Sequence, residues 1–370
     1  MKIALVSNTT WFIVNFYLSL IKALIKEGHD VFVVSPKDRY VEVLKAEGAS
    51  HIDIFIDNKG INPLRDFGTL TKLLFCYRRQ RFDVAFHFTI KPVVYGGLVA
   101  RLLDVSYIST ITGLGTVFIK KSWVTLLVKF LYRISQKKAY CIFFLNNDDA
   151  TLFLRNGLVS KEKVTIIPGS GINTDYFKCE KNSTVDDNSG RLFFLLVARM
   201  LSDKGVNEFV DAARMIRKKY KNVYFQLLGP VDVENNTAIS RAAIDQWVAE
   251  GVVEYSPPVD DVRGFIEQAD CVVLPSYREG LPGTLLEAAA MGKPLIATDT
   301  AGCRDVVIDG VNGYLCEVAD AEDLAIKLEI MINLSNDERL EMGEASRKHV
   351  VENYGEDRVI DCYLSAINRL

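Results

Sequence analysis

The feature that most constrains the fold is an alternation of strand and helix patterns that runs through the chain twice, broken once by a polar, turn-rich stretch. Residues 2–7 are a short apolar run and residues 8–11 a loop; helical periodicity follows as far as Glu27 and Gly28, and residues 30–34 are again strand-like. That sequence of patterns is a βαβ unit. Further strands are expected at 83–88, 107–111, 140–145 and 164–167, with helices at 92–103 and 123–138. A second series of strands is expected at 192–197, 223–228, 252–255, 271–274, 294–298 and 313–316. Alternating β and α elements imply parallel sheets covered by helices on both faces.

The break is KCEKNSTVDDNSGR, residues 178–191, whose composition is that of an exposed connection between domains. A chain of 370 residues also suits two domains better than one core, at about 150 residues per domain. The expected division is 1–178 and 191–354, with a terminal helix at about 355–370 packing back on the first domain. Both halves read as Rossmann-like α/β domains. Neither carries the full G-x-G-x-x-G fingerprint after its first strand, which argues against a dinucleotide dehydrogenase. Ligands are expected beyond the carboxyl ends of the strands, where two such domains would face each other across a cleft.

The net charge of −3 conceals an asymmetry: residues 1–178 hold 24 Lys+Arg against 14 Asp+Glu, leaving 20 against 33 for the remainder. Either the first half meets something anionic, or two oppositely charged surfaces face one another. In KKSWVTLLVKFLYRISQKK, residues 120–138, Lys120, Lys121, Lys129, Arg133, Lys137 and Lys138 alternate with apolar side chains, and Arg78, Arg79 and Arg81 form a second cluster. The segment reads equally as a core-facing helix with solvated lysines and as a helix lying on an anionic bilayer. Nothing suggests nucleic-acid binding, because the basic excess lacks a stacking or groove-reading motif.

MKIALVSNTT has neither the basic flank nor the cleavage site of a secretory signal, and no run of about 18 apolar residues is present. The expected location is cytoplasmic, with peripheral contact at the inner face of the plasma membrane left open. Seven scattered cysteines, without a C-x-x-C pair or a histidine at ligand spacing, read as reduced thiols.

The most informative stretch is CVVLPSYREGLPGTLLEAAAMGKPLIAT, residues 271–298. It reads strand, loop, helix, glycine turn and strand. Glu279 lies in the loop, and Glu287 lies about two turns into a helix that begins near Pro282. Gly280, Leu281, Pro282, Gly283 and Thr284 form the first helical turn, whose free N–H groups and positive dipole end suit a phosphate. A carboxylate beside a sugar or ribose can accept hydrogen bonds from two vicinal hydroxyls. Gly229, the loop 255–259 and the turn in PGSGIN, residues 168–173, are weaker pieces whose places fit a base pocket and a hinge or ordinary structural turns.

Glu279 and Glu287, in their PS-x-x-EG-x-P-x-x-x-x-E-A setting, resemble the E-x7-E motif of the large retaining GT-B glycosyltransferase family four, and the likeness extends over almost the whole second half. The resemblance implies an α/β GT-B architecture, two Rossmann-like domains facing across a cleft, with the acceptor bound by the first and the nucleotide-sugar donor by the second. It implies contact of Glu279 with the transferred sugar, of Glu287 with the ribose, and of the amides from Leu281 to Leu285 with sugar and diphosphate. VARMLSDKG, residues 197–205, resembles the family's basic loop, with Arg199 and Lys204 in the basic positions. Two cations at the diphosphate would neutralise the leaving group as a divalent ion does elsewhere, so no metal and no cofactor besides the donor, a UDP-sugar, are expected.

SNTTWFIVNF, HFTIKP and ITGLGTVFIKKSW resemble a narrower group within that family, the transferases that build capsule, O-antigen and lipid-linked oligosaccharides. The implied acceptor is a polyprenyl-diphosphate-linked saccharide or a polysaccharide, and the implied donor sugar an N-acetylhexosamine or hexose. Many relatives place a histidine near the reacting carbon, whereas ITGLGTVF offers Thr112, Gly113 and Gly115. His87, at the end of a strand with Lys91 close behind, is the nearest candidate. The resemblance also implies front-face attack assisted by the departing phosphate, which requires no protein base. A non-catalytic sugar-nucleotide-binding subunit and a GT-B sugar-nucleotide epimerase are the alternatives.

Overall fold

The computed structural model describes residues 1–57, 62–114, 123–179 and 190–370. These divide into two units, Met1–Gly171 with Glu356–Leu370, and Ile172–Gly355. Lys120, Lys121, Gly115 and most of the expected connection, 180–189, lie outside the described residues.

The first unit runs β1 (Lys2–Val6), α1 (Thr10–Lys26), β2 (Asp30–Ser35), α2 (Val41–Ala46), β3 (Ser50–Asp53), α3 (Pro63–Gln80), β4 (Val84–Phe88), α4 (Gly97–Leu103), β5 (Ser106–Ile111), α5 (Trp123–Ser135), β6 (Cys141–Phe144), α6 (Asn147–Arg155) and β7 (Val164–Ile166). Its seven parallel strands lie in the order β3-β2-β1-β4-β5-β6-β7. The order reverses between β1 and β4. Every residue of β4 is buried, as a central parallel strand covered on both faces requires. The helix expected at 92–103 begins with one π-helical turn, Pro92–Gly96, before α4.

Handedness sorts the helices. The crossovers through α3, α4 and α5 step across the sheet in one direction and those through α1 and α2 in the other, so right-handed connections put the two sets on opposite faces. Accordingly α4 packs against both α3 and α5.

The second unit runs β8 (Leu192–Val197), α7 (Val206–Lys219), β9 (Val223–Leu228), α8 (Arg241–Ala249), β10 (Glu254–Ser256), α9 (Arg263–Gln268), β11 (Cys271–Leu274), α10 (Gly283–Ala290), β12 (Leu295–Thr298), α11 (Cys303–Val306), β13 (Gly313–Cys316), α12 (Ala321–Asn333) and α13 (Asn336–Asn353). Its six parallel strands lie in the order β10-β9-β8-β11-β12-β13, reversing between β8 and β11. The final helix α14 (Glu356–Ile367) belongs to the first unit. There the fully buried Tyr363 shares a hydrogen bond with Thr110 (Oη–Oγ1 2.6 Å) and packs against Phe86 and Phe143.

Candidate active site

Where a parallel sheet reverses its strand order, the loops leaving two adjacent strands diverge to opposite faces and leave a crevice at their carboxyl ends. In the second unit those strands are β8 and β11. The loop after β8 carries Arg199 and Lys204; the loop after β11 carries Glu279 and leads into α10.

The two loops are joined through their backbones. Tyr277 N–H and Ser276 Oγ both donate to the Asp203 carbonyl, at 2.9 and 3.1 Å. Gly205 closes the 3₁₀ turn Ser202–Lys204 with φ +72°, and a Cβ there would lie 2.0 Å from the Pro275 carbonyl oxygen, so only glycine allows this approach. Gly302 supports the far side: at φ +79°, its Cβ would meet the carbonyl oxygens of Gly280 and Glu279 at 2.7 and 2.9 Å.

This junction brings Lys204 Nζ to 2.5 Å from Glu279 Oε1, with side-chain exposures of 20% and 13%. The expected cation pair is therefore divided. Lys204 is engaged with a carboxylate, whereas Arg199 is exposed and makes no side-chain hydrogen bond or ion pair among the described residues.

Pro282 caps α10, and Thr284 Oγ1 donates to the Val197 carbonyl at 3.2 Å, fastening the first helical turn to the end of β8. The amides of Leu281, Gly283 and Thr284 have no acceptor among the described residues. Leu285 differs from expectation. Its side chain is fully buried and its N–H donates to the Pro282 carbonyl at 3.1 Å, a tight first turn that removes it from the set of open donors. Pro282 itself has no N–H and contributes shape alone.

Glu287 is partly buried on α10 and has no side-chain partner among the described residues; burial pushes its carboxyl up to about 7. Gly229 follows β9, beside β8, where its N–H donates to the Ser256 carbonyl at 3.2 Å and its own carbonyl accepts from Tyr255 Oη at 2.9 Å. It thereby joins the 255–259 loop to the same carboxyl edge.

His87 is a correction. It is the fourth residue of β4, with no exposed surface, and its Nε2 lies 2.9 Å from Tyr77 Oη. The ring lies so close to the Gly96 backbone that a Cβ there would be 2.6 Å from Nε2, and burial pushes its pKa down to about 3. A neutral histidine enclosed by Tyr77, Tyr107 and Gly96 is part of the core. His87 stands inside the strand, before Phe88, and the helical segments carrying Tyr77 and Gly96 cover its side chain.

Sequence reasoning missed the Lys204–Glu279 contact. The signal available was weak: Gly205 beside Lys204 and Gly302 after a strand mark close backbone approaches, yet neither names its partner.

The comparisons agree with this geometry. A family model described as glycosyl transferase 4-like matches residues 2–146, and one described as glycosyl transferases group 1 matches residues 180–349. The N,N'-diacetylbacillosaminyl-diphospho-undecaprenol alpha-1,3-N-acetylgalactosaminyltransferase of Campylobacter jejuni is 30% identical over 100% of this chain and 99% of its own length. The UDP-Gal:alpha-D-GlcNAc-diphosphoundecaprenol alpha-1,3-galactosyltransferase of Escherichia coli is 22% identical over 84% of this chain and 82% of its own. Among solved structures, Anabaena HepE in complex with UDP superposes with a TM-score of 0.81 at 16% identity, covering 100% of both chains.

Two Rossmann-like units give the chain the GT-B fold of its solved neighbours, and the two family matches with the full-length relative make it a glycosyltransferase. The chain belongs to the glycosyltransferase family whose members join a 4-like first half to a group 1 second half.

Proposed function

We propose that the chain is a retaining, metal-independent transferase that moves a hexose or N-acetylhexosamine from a UDP-sugar to a lipid-diphosphate-linked saccharide. It would serve capsule or O-antigen synthesis, working peripherally at the cytoplasmic face of the membrane that carries the acceptor. The Lys204–Glu279 pair beside the open amides of α10 carries this reading. Both relatives above are named for undecaprenyl-diphosphate-linked acceptors, and the second for a UDP-sugar donor.

In this reading the unit Ile172–Gly355 holds the donor and Met1–Gly171 the acceptor. Glu279, oriented by Lys204, accepts hydrogen bonds from hydroxyls of the transferred sugar. Glu287 does the same for the ribose. The amides of Leu281, Gly283 and Thr284, together with Arg199, meet the diphosphate. Their charge and dipole stabilise the leaving group as the anomeric carbon–phosphate oxygen bond breaks, the task a divalent ion performs in other transferases. The acceptor oxygen bonds to the same face of that carbon, and its proton passes to the departing phosphate oxygen. His87 has no part in this step.

Purified protein supplied with a UDP-sugar and a polyprenyl-diphosphate-linked saccharide in EDTA tests the reading. Product NMR should show the donor's anomeric configuration, undiminished by chelation. An inverted linkage, or activity that returns only on adding a divalent cation, contradicts it. Epimerised UDP-sugar without product, or UDP binding without turnover, favours the epimerase or binding-subunit alternatives.

A further inference from the structure

Every large apolar side chain that is more than two-thirds exposed among the described residues lies on α3, α4 or α5: Leu64 (84%), Phe67 (68%), Phe75 (70%), Leu102 (68%) and Leu126 (70%). On α3 the outer stripe is Leu64, Phe67 and Phe75, opposite the buried Asp66, Thr69, Leu73 and Tyr77. On α5, Leu126 and Phe130 form the corresponding stripe, opposite the buried Tyr132. Because α4 packs on both neighbours, the three helices make one layer.

The stretch of sequence that supplies these three helices is also the basic one. Residues 62–138 contain 13 Lys+Arg against 3 Asp+Glu, while the rest of residues 1–178 is balanced at 11 against 11. Within it Lys72, Arg78, Arg79 and Lys137 make no side-chain hydrogen bond or ion pair among the described residues. Isolated apolar side chains set among uncompensated cations suit an interface in which hydrocarbon sinks below anionic headgroups while ammonium and guanidinium groups stay level with them. A protein partner of ordinary composition would call for a contiguous, charge-depleted patch instead. No helix among the described residues is long and apolar enough to cross a bilayer, so attachment through helices would be superficial.

We infer that the outer face of α3, α4 and α5 docks the protein on an anionic lipid bilayer, with Leu64, Phe67, Phe75, Leu126 and Phe130 inserted and the free cations at the headgroups. The inference rests on the lipid-linked acceptor proposed above. It also lays the helices of the first unit along the membrane surface, with Phe75, Arg78 and Arg79 toward the amino edge of the sheet. Helices in βα units run against the strands, so Leu64, Phe67 and Leu126, in the first turns of α3 and α5, lie toward the carboxyl edge of the sheet, the edge at which such sheets take ligands. A membrane-borne diphosphate could then reach that edge from the surface on which the helices lie.

The test is co-sedimentation of the full chain with phosphatidylcholine vesicles, with and without phosphatidylglycerol, at about 0.1 M and 1 M salt. Wild type should bind only the anionic vesicles, and more weakly at high salt. Phe67→Ser/Phe75→Ser and Lys72→Glu/Arg78→Glu/Arg79→Glu should each bind roughly tenfold less or worse, with unchanged circular dichroism. Absence of wild-type binding would overturn the inference and leave the face to a protein partner; equal binding to neutral vesicles, or undiminished binding by both variants, would also overturn it. UDP binding measured on the same samples separates the two readings: its loss with vesicle binding intact defeats the donor assignment and leaves the docking face standing.

Discussion

Lys204 reaches across 75 residues of sequence to place its ammonium 2.5 Å from the Glu279 carboxylate, at the crevice between β8 and β11. Both side chains are mostly buried, and the contact exists because Gly205 lets one loop lie against Pro275 of the other. One interaction therefore orients the carboxylate and ties the site to the fold.

Removing one partner of a mostly buried ion pair leaves the other uncompensated. Lys204→Met should cost about 1–3 kcal/mol of stability. Arg199→Ala should cost less than about 0.5 kcal/mol, because the side chain is exposed and without a partner among the described residues. Urea denaturation of both variants checks the contrast, and equal stability losses would contradict it. Calorimetric titration with UDP should nevertheless show weakened binding in Arg199→Ala.

A methyl group at Gly205 has nowhere to go. Gly205→Ala combines a left-handed backbone with a Cβ 2.0 Å from the Pro275 oxygen, so we expect a loss above about 2 kcal/mol and displacement of Lys204. Thermal denaturation together with turnover per folded molecule should show both falling; a stability change under about 0.5 kcal/mol would argue against the close approach.

Glu287 couples the fold to pH. Its carboxyl stands at about 7 in the folded protein against 4.5 in the ordinary range, so the native state keeps a proton that the unfolded chain releases between those values. Its contribution is fully present below pH 4.5 and is lost as pH rises through 7, by about 3 kcal/mol. Glu287→Gln should match wild type near pH 4.5 and be more stable at pH 8. Urea midpoints at the two pH values measure the difference, and a pH-independent difference contradicts the assignment.

His87 works in the opposite direction. Held neutral with its pKa near 3, it supports the fold above its ordinary value of 6.5 and progressively less as pH falls toward 3. His87→Ala should cost about 2–4 kcal/mol through the cavity and the partner lost by Tyr77, while turnover per folded molecule is unchanged. A selective fall in kcat with stability preserved would return His87 to the site.

Much of the fold was legible because most of its strands are largely apolar runs; those at 192–197, 223–228, 271–274 and 313–316 begin and end where the sequence pattern does. The edge strand Ser50–Asp53 was not, since Ser-His-Ile-Asp has neither an apolar run nor alternation. The π-turn at 92–96 ends at Gly96, which lies against His87, a tertiary contact that helical periodicity does not contain. In the site, Glu279, Glu287 and the proline-capped turn stand in one local stretch and could be read together. The engagement of Lys204 and the enclosure of His87 depend on which loops and helices meet, and no local spacing encodes that.

In the proposed function Glu279 and Arg199 act together on a nucleotide-sugar at the edge of β8 and β11. The most direct measurement is acceptor-dependent UDP release from a panel of UDP-sugars in EDTA by wild type, Glu279→Ala and Arg199→Ala. Release by wild type with one donor, abolished in Glu279→Ala at retained fold and reduced at least about tenfold in Arg199→Ala, is the predicted result. Wild-type rates in both variants would contradict the site.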